Sequence, residues 1–394
     1  MDISYIISSG VMYGLIWSIM VIGIYITYRI LDIADLGVEG TFPLGACVAA
    51  VLISSGCPAI IATILALIAG AFFGMITGIL HTKLKIPAIL SGIITMTGLY
   101  TINMVVLGGF KKLKNNLTIP TEKFTIFDRT RELFINNREN IVEIVFAILM
   151  VVCLIGIIVF GVRLLKIIVK KQFKTSLKNS VFAIVMLSII SVIFSILFIM
   201  FILAIANIVD FNFIKDLIVK EITIATLTTT IISLIVLILV FYACYWFFGT
   251  EIGMSLRATG NNKRMAKAQG INTDLMIISG LAISNGLVAL CGAIFAQDQG
   301  FGNIEQGRGV IVIGLAAIIL GESIFGKRDF KNSMISIIVG SIIYYILEAV
   351  AIDLEVSNYL KLVRAILIVV VLVAPMIKKS IKKKNKKTGG LKHA

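Results

Sequence analysis

Long apolar blocks recur along the whole chain, each closed off by a polar stretch. They fall near residues 10–28, 41–56, 58–80, 87–108, 141–162, 181–208, 222–248, 275–296, 310–325, 333–351 and 359–376. A bilayer core needs roughly 20 residues of helix, so each block predicts one membrane span and the chain about 11 in all, the second and ninth rather short. The first block follows MDISYIISSG, which has no basic region, and no small-residue cleavage site clearly follows; it reads as a retained helix and not as a signal peptide. Composition agrees, with 394 residues of which 59% are hydrophobic and 14% charged, and a mean hydropathy of +1.03. The expected fold is an all-α polytopic membrane protein, multi-pass in the plasma membrane.

Lysine and arginine collect in cytoplasmic loops. With the N-terminus outside and the C-terminus in the cytoplasm, the inner segments hold 24 of the 36 basic residues and the outer ones 10, so this orientation is favoured. One outer stretch, GGFKKLKNN at 108–116, runs against the rule, which longer loops tolerate. The net charge of +15 does not point to nucleic acid. Its densest cluster, KKSIKKKNKK at 378–387, follows directly on a span and suits stop-transfer anchoring and attraction to anionic lipid. Residues 1–376 read as a single transmembrane domain and 377–394 as a basic cytoplasmic tail. Cys47, Cys57, Cys153, Cys244 and Cys291 are scattered without a close pair, so neither a metal site nor a disulfide framework is expected, and no cofactor is implied.

The polar stretch at 249–274, GTEIGMSLRATGNNKRMAKAQGINTD, differs from a plain connector. Met254, Leu256, Met265 and Ala266 alternate with Arg257, Lys263, Arg264 and Lys267, which suits short amphipathic helices at the membrane surface. Gly260 followed by Asn261 predicts a left-handed turn that ends one short helix, with an Asn capping the next. Gly270 repeats the device, and Asn272, Thr273 and Asp274 offer caps to the following span. The expectation is a rigid cytoplasmic elbow.

The spacing of Gly253, Arg257, Ala258, Gly260, Asn262, Ala266 or Ala268, and Gly270-Ile271 resembles the coupling loop of ABC-importer permeases of the branched-chain amino acid and ribose type. In that family the loop sits in a groove on the ATPase subunit. LDIADLGVEGTFPLGACVAA at 31–50 is similar to the family's D-L-x-V-D-G-S-F-x-L-G-A segment, with Glu39 and Thr41 where Asp and Ser are usual. SGIITMTGLYTINMVVLGG at 91–109 and AQDQGFGNIEQGRGVIVIGLAAIILGE at 296–322 are similar to the tryptophan/tyrosine-type subgroup. The likeness covers 10–109 and 222–376. Residues 141–208, two apolar blocks around RLLKIIVKKQFKTSLKNS, do not match and read as an inserted two-helix hairpin that leaves the downstream orientation undisturbed.

A permease carries a polar solute past hydrocarbon, so polar groups beside spans are candidate path residues. Asp35, Glu39, Gly40, Thr41, Pro43 and Gly45 open the second span; Thr41 as a helix cap with Pro43 in the first turn, and lining of the path, are two readings of equal standing. QDQGFGNIEQGRG leads into the ninth span from the opposite side. Two short spans with polar, glycine-rich leads hint at an inverted repeat with the path at its interface. Thr95 and Asn103, eight residues apart on one helical face, either line the path or hydrogen-bond neighbouring helices, the latter slightly favoured. Glu348 is expected to pair with Lys361 or Arg364. Gly70, Gly74 and Gly78 form a double GxxxG ridge suited to close helix packing.

The chain has only His81 and His393 and carries no HExxH, GxSxG or clustered metal ligands, which disfavours an intramembrane enzyme. It has no Walker A pattern, so ATP hydrolysis belongs to another subunit. A secondary transporter is the remaining alternative; few mid-span carboxylates are available for ion coupling, and the elbow would have no use. The resemblance implies the permease subunit of an ABC importer for a small solute such as an amino acid, a homodimer partnered by an ATPase subunit and an extracytoplasmic solute-binding protein.

Overall fold

The computed structural model describes residues 3–109, 112–120, 125–128, 224–325 and 330–353. Residues 1–130 and 225–394 form one compact unit, to which these segments belong apart from the first residue of the helix that opens at Ile224. The inserted hairpin at 141–208, the last predicted span at 359–376, the basic tail and the proposed partners of Glu348 lie outside the described residues.

The chain is an all-α polytopic membrane protein. Among the described residues its helices are α1 (Ile3–Tyr25), α2 (Val38–Ser54), α3 (Ala59–Thr82), α4 (Ala88–Gly108), α5 (Ile224–Gly249), α6 (Glu251–Asn261), α7 (Lys263–Ala268), α8 (Thr273–Gln299), α9 (Val310–Phe325) and α10 (Phe330–Asp353). Seven described helical segments are long and apolar enough to cross a bilayer, and α2 is a shorter apolar helix of 17 residues. Eight of the predicted blocks therefore coincide with helices, the second and ninth being short, as their composition predicts. One small antiparallel pair, β1 (Asn116–Thr118) with β2 (Phe301–Asn303), ties the loop after α4 to the segment before α9.

Helix α8 is the hub. Its apolar window and that of α1 are mostly buried, whereas α3, α4 and α5 keep wide exposed faces of Ile, Leu and Phe, as lipid-facing helices do. Since lipid tails are as apolar as leucine, packing between spans depends on close approach and hydrogen bonds. Both are present. Gly70, Gly74 and Gly78 of α3 lie against Ala289, Leu281 and Ile278 of α8, and Gly45 of α2 sits on the Ala289 carbonyl, where a Cβ would overlap it. Ser284 donates to the Gly23 carbonyl at 2.7 Å, and Gln297 to the Thr63 hydroxyl at 2.7 Å.

Three local features depart from the sequence reading. Helix α1 does not end as an α-helix. Ile26–Ile30 form a π-helix, closed by the Leu31 N–H donating to the Ile26 carbonyl at 3.0 Å, and Asp32 follows at φ +56°. Helix α2 begins at Val38 with Gly37 as its N-cap, so Thr41 does not cap it and Pro43 lies in its interior. Proline has no N–H, so the Glu39 carbonyl one turn back loses its helical partner; Gly307 packs on that carbonyl. Finally, α6 runs through Gly260 and Asn261 in right-handed conformation, and the break falls at Asn262.

Candidate functional site

The elbow is built as two short helices joined at Asn262. The Thr250 side chain accepts from the Gly253 N–H at 3.3 Å and starts α6, and the Asn262 side chain accepts from the Met265 N–H at 3.0 Å and starts α7. Gly270 at φ +82° supplies the left-handed stop, and the Asn272 side chain caps α8. Each joint of the elbow thus carries a side-chain cap or a left-handed glycine.

One face of it is locked into the bundle. Leu256 is fully buried, and Leu256 and Leu31 both reach Gly280 of α8. Gly260 sits on the π-helix, where a Cβ would overlap the Ile30 carbonyl oxygen. That contact, and not a left-handed turn, is what demands glycine there. Arg257 is also turned inward. It donates to the Phe248 carbonyl at 2.8 Å, and its guanidinium lies 5.4 Å from the Phe330 ring centre, so it fixes the elbow to α5 and α10. Gly253 and Ala266 are buried, and Ala258 is half-buried. The outward face carries Ile252, Met254 and Met265, exposed at 54%, 50% and 54%, beside Lys263, Arg264 and Lys267.

From the elbow the chain of contacts runs into the bundle. Arg29, in the π-helix, makes a bidentate ion pair with Glu322 at the end of α9, with Nε 2.7 Å from Oε1 and Nη2 on Oε2. Beyond Asp32, the Asp35 carboxyl is buried and accepts from the Gly37 N–H at 2.8 Å and from the Asn285 amide at 2.7 Å. Asn285, near the middle of the 27-residue α8, accepts in turn from the Thr41 hydroxyl at 2.8 Å. A carboxyl, an amide and a hydroxyl thus hold the start of α2 at mid-bundle, each satisfied by the next. Thr95 and Asn103 point to the same region as hydrogen-bonding groups: Thr77 donates to Thr95 at 2.8 Å, and Asn103 donates to the Gly40 carbonyl at 3.2 Å.

Above this network α2, α4 and the segment before α9 enclose an open cavity of about 240 Å³. Glu39, Gly40, Thr97, Tyr100, Asn103 and Arg308 supply its polar lining. Gly307, leading into α9, packs on the Glu39 carbonyl and the Pro43 ring and so brings the starts of the two short helices together. Of the residues singled out in the sequence, Glu39, Gly40 and Asn103 meet here. Asp35, Thr41 and Thr95 lie in the buried network instead. Sequence reading passed over Arg29, Asn285 and Glu322 as a set, because their partners here lie 244 to 293 residues away.

Comparison with known proteins agrees with this architecture. The family model described as branched-chain amino acid transport system / permease component matches residues 6–164 and 133–372. The chain is 30% identical to a tyrosine transport system permease protein of Clostridioides difficile over 375 residues, 95% of this chain and 92% of that one. It is 26% identical to an uncharacterized protein of Rickettsia prowazekii, over 83% of this chain and 82% of that protein. A shorter stretch of 72 residues, 18% of this chain, is 33% identical to the autoinducer 2 import system permease protein LsrC of Salmonella typhi, covering 21% of that protein. No solved structure matches it. A bundle of apolar spans with a capped elbow, matched by that model over nearly its whole length, belongs to the branched-chain amino acid transport system permease family.

Proposed function

We propose that the chain is the membrane-spanning subunit of an ATP-driven importer of a small solute. Its elbow faces the cytoplasm and docks on a separate ATPase subunit, an extracytoplasmic binding protein delivers the solute, and two copies of the chain form the membrane part. The excess of Lys and Arg on the elbow side supports this orientation, with the N-terminus outside. The Clostridioides difficile relative, a tyrosine transport permease by name, supports an amino acid as the solute. Residues 1–376 act as the transmembrane unit, with 141–208 as an insertion of its own.

The observation that carries the reading is the two-faced elbow. Its outer face shows Ile252, Met254 and Met265 among three cations, an apolar, adaptable surface of the kind that receives a protein partner. Its inner face rests on Ile30 and Leu31 without any intervening side chain at Gly260. Force applied to the outer face therefore reaches the π-helix directly. Closure of an ATPase pair would shift the elbows, and the shift would pass through residues 26–37 to α2 and the cavity beside Glu39, alternating its access.

Purification from detergent-solubilised membranes tests the docking. Wild type should bring down an ATPase subunit, and a Met254→Glu, Met265→Glu variant should lose it while remaining in the membrane. Recovery of no ATPase with wild type would sink the proposal.

A further inference from the structure

The cavity beside Glu39 holds one charge that nothing in its wall answers. Glu39 stands in the first turn of α2, half-buried, and among the described residues its carboxyl belongs to no ion pair. Arg308 lines the same cavity, but its guanidinium is engaged with Glu305, Nε lying 2.6 Å from Oε2, on two well-exposed side chains. Asn103 adds to the negative side. Its amide N–H donates to the Gly40 carbonyl at 3.2 Å, which fixes the orientation of the group and leaves its oxygen buried and without a hydrogen-bond partner, a carbonyl dipole with nothing set against it.

The rest of the wall is neutral: Thr97 and Tyr100 supply hydroxyls, and Pro43, Met96 and Ile304 supply apolar surface. An anion entering this space would meet the Glu39 carboxylate where water is partly excluded and like charges repel far more than in bulk solvent. A neutral solute would strip that carboxylate of water and offer no charge in return. A compact ammonium group answers it, with N–H donors for the carboxylate and the ring of Tyr100 as a second surface that attracts cations. We propose that Glu39 is a charge filter in the membrane subunit itself, admitting a solute by its ammonium group and turning anions away. The proposal rests on the reading of this cavity as part of the solute path, where the ammonium is that of an amino acid. Selection is then made twice, once by the binding protein and again at the start of α2, which Asp35 and Asn285 hold in place.

Paired thiol reagents of opposite charge read the filter in the full chain, purified in a neutral detergent without ATPase or binding protein. Thr97→Cys places a thiol in the cavity, and Gly98→Cys places one on the exposed side of α4 outside it, where a Cβ meets nothing within 4 Å. Aminoethyl and sulfonatoethyl methanethiosulfonate are compared at each position by peptide mass spectrometry, which sets the native cysteines aside, and each rate is divided by that with mercaptoethanol. At position 97 the ammonium reagent is expected to react at least about tenfold faster than the sulfonate on this scale, and Glu39→Gln to bring the ratio to within about twofold of its value at position 98. The chain's net charge of +15 favours the sulfonate wherever no local carboxylate opposes it, so the expected preference runs against the field of the whole protein. A ratio at position 97 no higher than at 98, a ratio that persists in Glu39→Gln, or a thiol at 97 that neither reagent reaches would overturn the filter. The first and third outcomes use the unaltered Glu39 and do not depend on how the Glu39→Gln variant folds. None of them bears on whether an ATPase co-purifies, so the filter and the importer reading fail separately.

Discussion

Gly260 of the elbow and Ile30 of the π-helix are in backbone contact: the space a Cβ would need at Gly260 is taken by the Ile30 carbonyl oxygen. The elbow therefore has no side-chain cushion at the point where it meets the bundle. Gly260→Val must push the two apart, while the caps at Thr250, Asn262 and Asn272 still form the elbow. The expected outcome is a protein present in the membrane at normal level that binds its ATPase but whose solute uptake falls at least about tenfold relative to ATP hydrolysis, a coupling loss above roughly 1.4 kcal/mol. Uptake and hydrolysis measured together in proteoliposomes check it, and an unchanged ratio would show that the contact transmits nothing.

Arg29 and Glu322 pin the π-helix to the end of α9. The pair is bidentate and only partly exposed, with side chains 30% and 12% accessible, so removing one partner strands a charge that is poorly solvated. Glu322→Ala should lower thermal stability in detergent by about 1–3 kcal/mol, below the cost of breaking a fully buried pair. The exchange Arg29→Glu with Glu322→Arg should recover part of that loss. A double-mutant cycle reads the coupling directly, and additive effects of the two single alanine variants would mean that the pair is incidental.

Asn285 serves two neighbours at once, donating to Asp35 and accepting from Thr41. Asn285→Leu is close in size yet leaves a buried carboxyl short of a donor, which should cost about 2–4 kcal/mol. Asn285→Asp should be worse, because it sets a second carboxyl beside Asp35 in a site without a described cation partner. Melting temperatures of the two variants by a thiol-independent method such as scanning calorimetry give the order. Asn285→Asp at or above Asn285→Leu would show that the Asp35 carboxyl is not held as drawn.

These three relationships also mark where sequence reading stops. The spans were legible because block length and hydropathy respond to bilayer thickness, and the caps at Asn262 and Asn272 because an Asn before a helix has a local job. Gly260 was legible as a required glycine but for the wrong reason. A Gly-Asn pair is the usual mark of a helix end, whereas the carbonyl that excludes a side chain belongs to residue 30. The π-helix in ITYRI has no local signature, since the choice between a bond to the fourth or the fifth residue back is decided by what Ile26–Ile30 pack against. Pro43 reads as a first-turn proline because that is its commonest helical place; the structure puts it in the helix interior, with Gly307, far along the chain, packed on the freed Glu39 carbonyl.

The cavity beside Glu39 offers the sharpest test of where solute passes. Thr97 and Tyr100 line it from α4 and are exposed, whereas Asn103 on the same helix is buried against the Gly40 carbonyl. Polar side chains on an otherwise lipid-facing helix are costly unless water, solute or a second copy of the chain covers them. Thr97→Trp fills much of a space of about 240 Å³ without disturbing the Asn103 bond or the Asp35 network. It should leave membrane level and ATPase binding unaltered and reduce uptake at least about tenfold. Gly98→Trp adds the same bulk one residue along, where a Cβ meets nothing within 4 Å, and should have little effect. Equal inhibition by both would place the block at a general α4 surface; inhibition by Thr97→Trp alone assigns the path to the gap between α2, α4 and the segment leading into α9.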